Sequence, residues 1–221
     1  MAEGESEEEA QRRYQKELSE RAREKATTLL DRLRTMIRTG VVTDKSRQSE
    51  LVNEALEMAE APGGAELLSV LGYVYIQEAN MNRDSMLGIP AWFSKKNESL
   101  HMMKTTISMA TTAAVYSSMA EDPEGMGADE EAVARQGLKT MWKIGKFTIE
   151  IEVREACETM FKEMGIKKDE KKAIVKALKL LGEIFKSTGD RVTKETELAY
   201  YRMQQEQKKQ QKQQQQQQQQ F

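Results

Sequence analysis

Apolar residues return every three or four positions along most of this chain, the period of a helix with one face in a core. From Glu5 to Thr39 the line runs Tyr14, Leu18, Ala22, Ala26, Leu29, Leu33, Met36 and Ile37. Glutamates come early and arginines late, which suits the helix dipole, and Gly40 stops the run. Asp44 or Ser46 is placed to cap a second helix with Leu51, Ala55, Met58 and Ala59 inside, ended by Pro62-Gly63-Gly64. The third helix, about Ala65 to Met81, differs in kind. Leu67, Leu68, Val70, Leu71, Val74, Tyr75 and Ile76 leave it little polar face, so neighbours must bury it. Gly72 in its interior costs about 1 kcal/mol against alanine, which predicts another helix pressed against the missing side chain.

From Asn82 to Ser94 the pattern breaks at Gly88 and Pro90 and presents Trp92 and Phe93 on a loop. These rings either tuck back into the core or, with Leu87 and Ile89, form a partner-binding edge. A helix follows with Leu100, Met103, Ile107, Ala110, Ala114 and Met119 as its stripe. Its small residues, Ser108, Ala110, Thr111, Thr112, Ala113 and Ala114, suit close helix approach, and Met102, Met103 and Met109 read as core filler. Residues 121–128 form a turn, after which Asp129 caps. The TIEIEV stretch, Thr148 to Val153, alternates like a strand. Yet Val133, Gly137, Met141, Ile144, Thr148 and Ile151, then Val153, Cys157, Met160 and Phe161, keep a helical period through it, so one long helix should end at Gly165. Asp169 then caps the last core helix, with Ile174, Ala177, Leu178, Leu181, Ile184 and Phe185 inside and Gly189 closing it. Arg191 to Tyr201 continues as an exposed helix. From Gln204 the glutamine-rich tail has no core to fold around, which leaves disorder, a frayed helix or self-association. The pattern as a whole predicts an all-α bundle of about six helices. An acidic segment spans 1–9, the helical domain 10–189, and a polar helix running into the tail 190–221.

Composition narrows the chemistry. With 34 basic and 36 acidic residues among 221, the net charge of −2 draws the chain neither to nucleic acid nor to anionic lipid. The longest apolar stretch is about half the ~20 residues that span a bilayer, so membrane contact is at most peripheral. A single cysteine, Cys157, points to a reducing, cytoplasmic compartment and reads as a buried structural thiol. One histidine and one cysteine cannot build a zinc site. Glu98 and His101 have the Glu-x-x-His spacing of di-iron bundles, but such a centre needs a second histidine that the sequence lacks. Gly125 and Gly127 belong to a turn rather than a dinucleotide fingerprint. Glu150, Glu152 and Glu155, like Lys167, Lys168, Lys171 and Lys172, read as solvated helix faces. The expectation is a protein that is not an enzyme and carries no cofactor or metal.

Five segments in order carry a family resemblance: Gly72 to Asn80 (GYVYIQEAN), Leu87 to Ser94 (LGIPAWFS), Leu100 to Ser108 (LHMMKTTIS), Leu138 to Ile144 (LKTMWKI) and Lys176 to Phe185 (KALKLLGEIF). Together they resemble the DnaJ-X domain, the C-terminal region of a subgroup of J-domain cochaperones, over roughly Ala10 to Thr188. The resemblance implies a chaperone accessory module that binds a client or partner protein and cooperates with an Hsp70-type chaperone in folding or organelle delivery. The family's J domain carries a His-Pro-Asp tripeptide. Here His101 is followed by Met102 and Met103, so any link to an Hsp70 system would run through a longer gene product. The other reading is a helical module for an apolar ligand or membrane surface. It needs a basic amphipathic face, and the candidate, Lys167 to Lys179, places its apolar side where the core requires it.

Overall fold

The computed structural model describes residues 7–86, 106, 108, 110–118, 120–121 and 130–218. Among these the chain is all-helical, as the periodicity predicts. The elements are α1 (Glu7–Arg38), a 3-10 turn at Lys45–Arg47, α2 (Gln48–Glu60), α3 (Gly64–Met86), α4 (Glu130–Glu163) and α5 (Lys168–Gln218), with residues 110–118 also helical. α1 buries Ala22, Ala26, Leu29, Leu33 and Met36 as expected, and Leu30 with them. It ends at Gly40, whose φ of +76° takes the chain out of the helix. Asp44 caps the 3-10 turn by accepting from the Ser46 backbone N–H at 2.9 Å.

α3 is the centre of the bundle, in contact with α2, α4 and α5, while α1 packs on α4 and α5. Every α3 residue from Gly64 to Asn82 is buried or half-buried, as its nearly all-apolar wheel requires. Its closest neighbour is α5. A Cβ on Gly72 would lie 2.3 Å from the backbone nitrogen of Lys186 and 2.6 Å from the carbonyl oxygen of Gly182. The backbones meet with only the Lys186 Cβ beside them. Gly189, about two turns beyond Gly182 on α5, has the same role, since a Cβ there would stand 2.4 Å from the Ala65 carbonyl oxygen. That is the physical reason Gly189 does not close the helix as expected from sequence: it is a site of close approach, and α5 runs through it to Gln218. Around the crossing Leu68, Val74, Leu178, Leu181 and Phe185 complete the core, with the Tyr75 and Phe185 rings 6.2 Å apart.

Other boundaries also move. α3 continues to Met86, so Asn82 to Met86 is helix rather than loop. Lys168 already begins α5, which puts Asp169 in its first turn instead of at its cap. There its charge still complements the dipole. The TIEIEV stretch lies wholly within α4.

Candidate partner-binding surface

α4 carries two apolar lines; Val153, Cys157, Met160 and Phe161 turn inward as expected, while the earlier part of the expected stripe turns outward. Met141 and Ile144, read from sequence as core, are 71% and 44% exposed; Leu138 is 70% and Ile151 41% exposed, and Thr148 faces solvent beside them. The inner line is Trp142, Lys146, Ile149, Val153, Cys157 and Met160. Trp142 fixes which line turns inward. Its ring lies against Gly63, where a φ of +76° and a Cβ clash of 2.3 Å both demand glycine. Its indole N–H donates to Glu66 at 2.7 Å. Lys146 reaches the same carboxylate, and its ammonium stands 5.6 Å from the centre of the Trp142 ring. A lysine thus serves the inner face by laying its stem along an aromatic ring. Burial raises the Glu66 pKa, but hydrogen bonds from Lys146 and Trp142 outweigh it and hold the carboxyl below its ordinary value.

Helical residues 110–118 lie beside this face. Tyr116 sits on Gly137, 3.0 Å from where a Cβ would be. The ammonium of Lys143 donates to Thr112 Oγ1 at 2.6 Å, and Thr140 Oγ1 donates to the Gln136 carbonyl at 2.9 Å. Thr112 is therefore the buried residue here, while Ala110 and Ala114, expected inside, are exposed. Two threonines and a lysine satisfy their polar groups at a contact that alanines would have made dry. Val115 and Tyr116 extend the exposed apolar surface beyond α4.

Behind the surface lies a buried charge cluster that sequence reasoning missed. Arg154 of α4 bonds Glu150 at 2.9 Å and stands 3.6 Å from Glu78 of α3, all three with little solvent exposure. Its guanidinium carbon is 5.8 Å from the centre of the Tyr73 ring. Glu150, expected on a solvated face, is thus an internal ion-pair partner. The signal was available: Glu78 follows Val74 and Leu71 on one helix line, and Arg154 stands four residues after Glu150. Taking away the arginine would remove the cation that pairs with two buried carboxylates, a loss of about 3–5 kcal/mol. The cluster ties the C-terminal half of α3 to α4.

Cys157 is fully buried, and burial, reinforced by the Glu78 charge and opposed by Arg154, pushes its thiol pKa far up, which removes thiolate reactivity. Among the described residues no group of three His, Cys, Asp or Glu side chains is placed to hold a metal ion, and no helix is long and apolar enough to cross a membrane. The apolar side of Lys167 to Lys179 faces inward through Ile174, Ala177 and Leu178. Lys167, Lys168 and Lys172 are solvated, while Lys171 is half-buried over Phe161. Leu87, Ile89, Trp92 and Phe93 lie outside the described residues, as do Glu98, His101, Met102, Met103, Met109, Gly125, Gly127 and Asp129.

The family model for DnaJ-X, the X-domain of DnaJ-containing proteins, matches residues 18–207. The chain belongs to that family, and is a J-protein-related region. No solved structure matches it.

Proposed function

We propose that this chain is a non-enzymatic chaperone accessory module that holds a client or partner protein for folding or for delivery to organelles, in the cytoplasm. The observation that carries the reading is the apolar face of α4, where Leu138, Met141, Ile144 and Ile151 stand exposed in a member of a cochaperone-related family. An exposed apolar surface backed by a rigid core is what an extended or helical client segment needs. The partner edge at Leu87, Ile89, Trp92 and Phe93 belongs to the same reading and begins one residue after Met86, the exposed end of α3. An Hsp70-type chaperone enters through a longer product with a J domain.

The test compares two double changes for binding to a chemically unfolded polypeptide. Leu138→Ser with Met141→Ser removes apolar contact worth about 1.5 kcal/mol per side chain at full burial, so affinity should fall about tenfold or more while the fold is kept. Unchanged affinity would remove the α4 face from the reading. Trp92→Ser with Phe93→Ser should act in the same way; if the protein melts instead, those rings belong to the core and the loop edge is withdrawn. In a single-turnover ATPase assay with an Hsp70-type chaperone the chain alone should give no acceleration, and acceleration near that of an intact J protein would refute the assignment.

A further inference from the structure

α5 outruns the bundle. Val192 is the last of its residues packed against the core, and every residue from Lys194 to Met203 is exposed, including Leu198, Tyr200, Tyr201 and Met203. A helix that leaves its core with large apolar side chains in water is built to meet something else.

One face of this projecting segment has a definite pattern. Arg191, Glu195, Leu198, Ala199, Arg202 and Glu206 follow at intervals of four, three, one, three and four, which puts all six within about 100° of the helix circumference. All six are exposed. The series is complementary to its own reversal. About a midpoint between Leu198 and Ala199, Arg191 corresponds to Glu206, Glu195 to Arg202, and Leu198 to Ala199. Every pair is an acid with a base or a large apolar residue with a small one. A helix with this property matches a second copy of itself running the other way, which is the condition for a two-fold contact in which the same patch serves both partners.

We propose that α5 forms an antiparallel contact between two copies of this chain, crossing at Leu198 and Ala199. Leu198 of each copy packs on Ala199 of the other, where the small side chain lets the helices approach. Glu195 then meets Arg202, and Arg191 meets Glu206, each pair occurring twice by symmetry. A shallow crossing keeps Arg191 and Glu206, each about two turns from the midpoint, within reach of each other. A contact of a few helical turns is below the size of a permanent interface, so the association is weak and concentration-dependent. Its exposed charge pairs make it sensitive to salt. A parallel pairing, contact through the α4 face, or association through the glutamine-rich end are the other occupants, and the test separates them.

The experiment is sedimentation velocity on the full chain and two charge-reversed versions. One carries Arg191→Glu with Arg202→Glu, making the face wholly acidic; the other carries Glu195→Arg with Glu206→Arg, making it wholly basic. The unaltered chain should move from 25.2 kDa toward twice that mass as concentration rises. Each altered chain alone should remain at the lower mass, and an equimolar mixture of the two should regain association. The mixture guards against loss through local melting, because melted segments would not recover in it. A constant low mass for the unaltered chain, association retained by both altered chains, or a mixture that stays at the lower mass would each overturn the proposal.

Discussion

Gly72 and Gly145 are both glycines inside long helices, and the bundle treats them in opposite ways. At Gly72 of α3 a single added carbon would run into the backbone of α5. At Gly145 of α4 the same carbon would meet no atom of the described residues within 4 Å beyond its own stretch of helix. The first glycine exchanges helix propensity for contact between main chains. The second incurs the same propensity cost with no packing from the described residues to offset it, and stands between Ile144 and Met141 on one side and Thr148 on the other, along the exposed apolar face. One helix is the interior of the molecule and the other turns part of its apolar length outward, and the glycines report the difference more sharply than the surrounding leucines do.

The comparison is most directly tested by Gly72→Leu. Overpacking against backbone atoms that cannot rotate away should cost about 3 kcal/mol, the upper end of the usual range, despite the gain in helix propensity. A urea midpoint that does not move would mean that α3 is not the centre. Gly145→Ala should act with the opposite sign, raising stability by up to about 1 kcal/mol because the propensity gain meets no clash. A loss there would show that a neighbour covers the site.

Acid should probe the anchor that decides which line of α4 turns inward. Glu66 is held below its ordinary value of 4.5 in the folded chain, so its contribution is present above that pH and is lost as pH falls through the lower folded value. The melting midpoint should fall over that acid range, and Glu66→Gln should remove part of the fall. An identical acid profile for the two proteins would sever the carboxylate from the anchor. The smallest effect on stability belongs to Leu138→Ser with Met141→Ser, within about 0.5 kcal/mol because neither side chain is buried. A larger loss by thermal melting would mean that the face is core.

The two regions also differ in how far sequence alone reveals them. α3 is legible because its wheel offers hardly any side that water would accept, and Gly72 because a glycine inside such a helix costs stability unless a neighbouring backbone needs the space. In α4 the helical period is legible, and so is its phase from Val153 to Phe161, but not its phase from Met141 to Ile151. Two apolar lines coexist there, and the inner one includes Lys146, which by type reads as surface. Glu150 is misplaced for the same reason, since residue type marks a charge as solvated and its partner Arg154 becomes relevant once α3 brings Glu78 beside it. Gly189 reads in sequence as a helix terminator, when what decides its place is the Ala65 backbone, remote from it along the chain. Of the surface proposed for binding, Leu138, Met141 and Ile144 all stand in one family segment, while the period puts Met141 and Ile144 on the wrong side. The loop edge at Leu87, Ile89, Trp92 and Phe93 is still a proposal.

The length of α5 has a consequence for reach. From Val192, its last core contact, to Gln218 the helix advances about 40 Å at 1.5 Å per residue. A flexible chain of equal length would average about 30 Å and would also fold back often, giving its end a substantial effective concentration at the bundle surface. A rigid helix gives nearly none. Whatever engages its far end is held away from the α4 face, and a single extended polypeptide would need about a dozen residues to touch both.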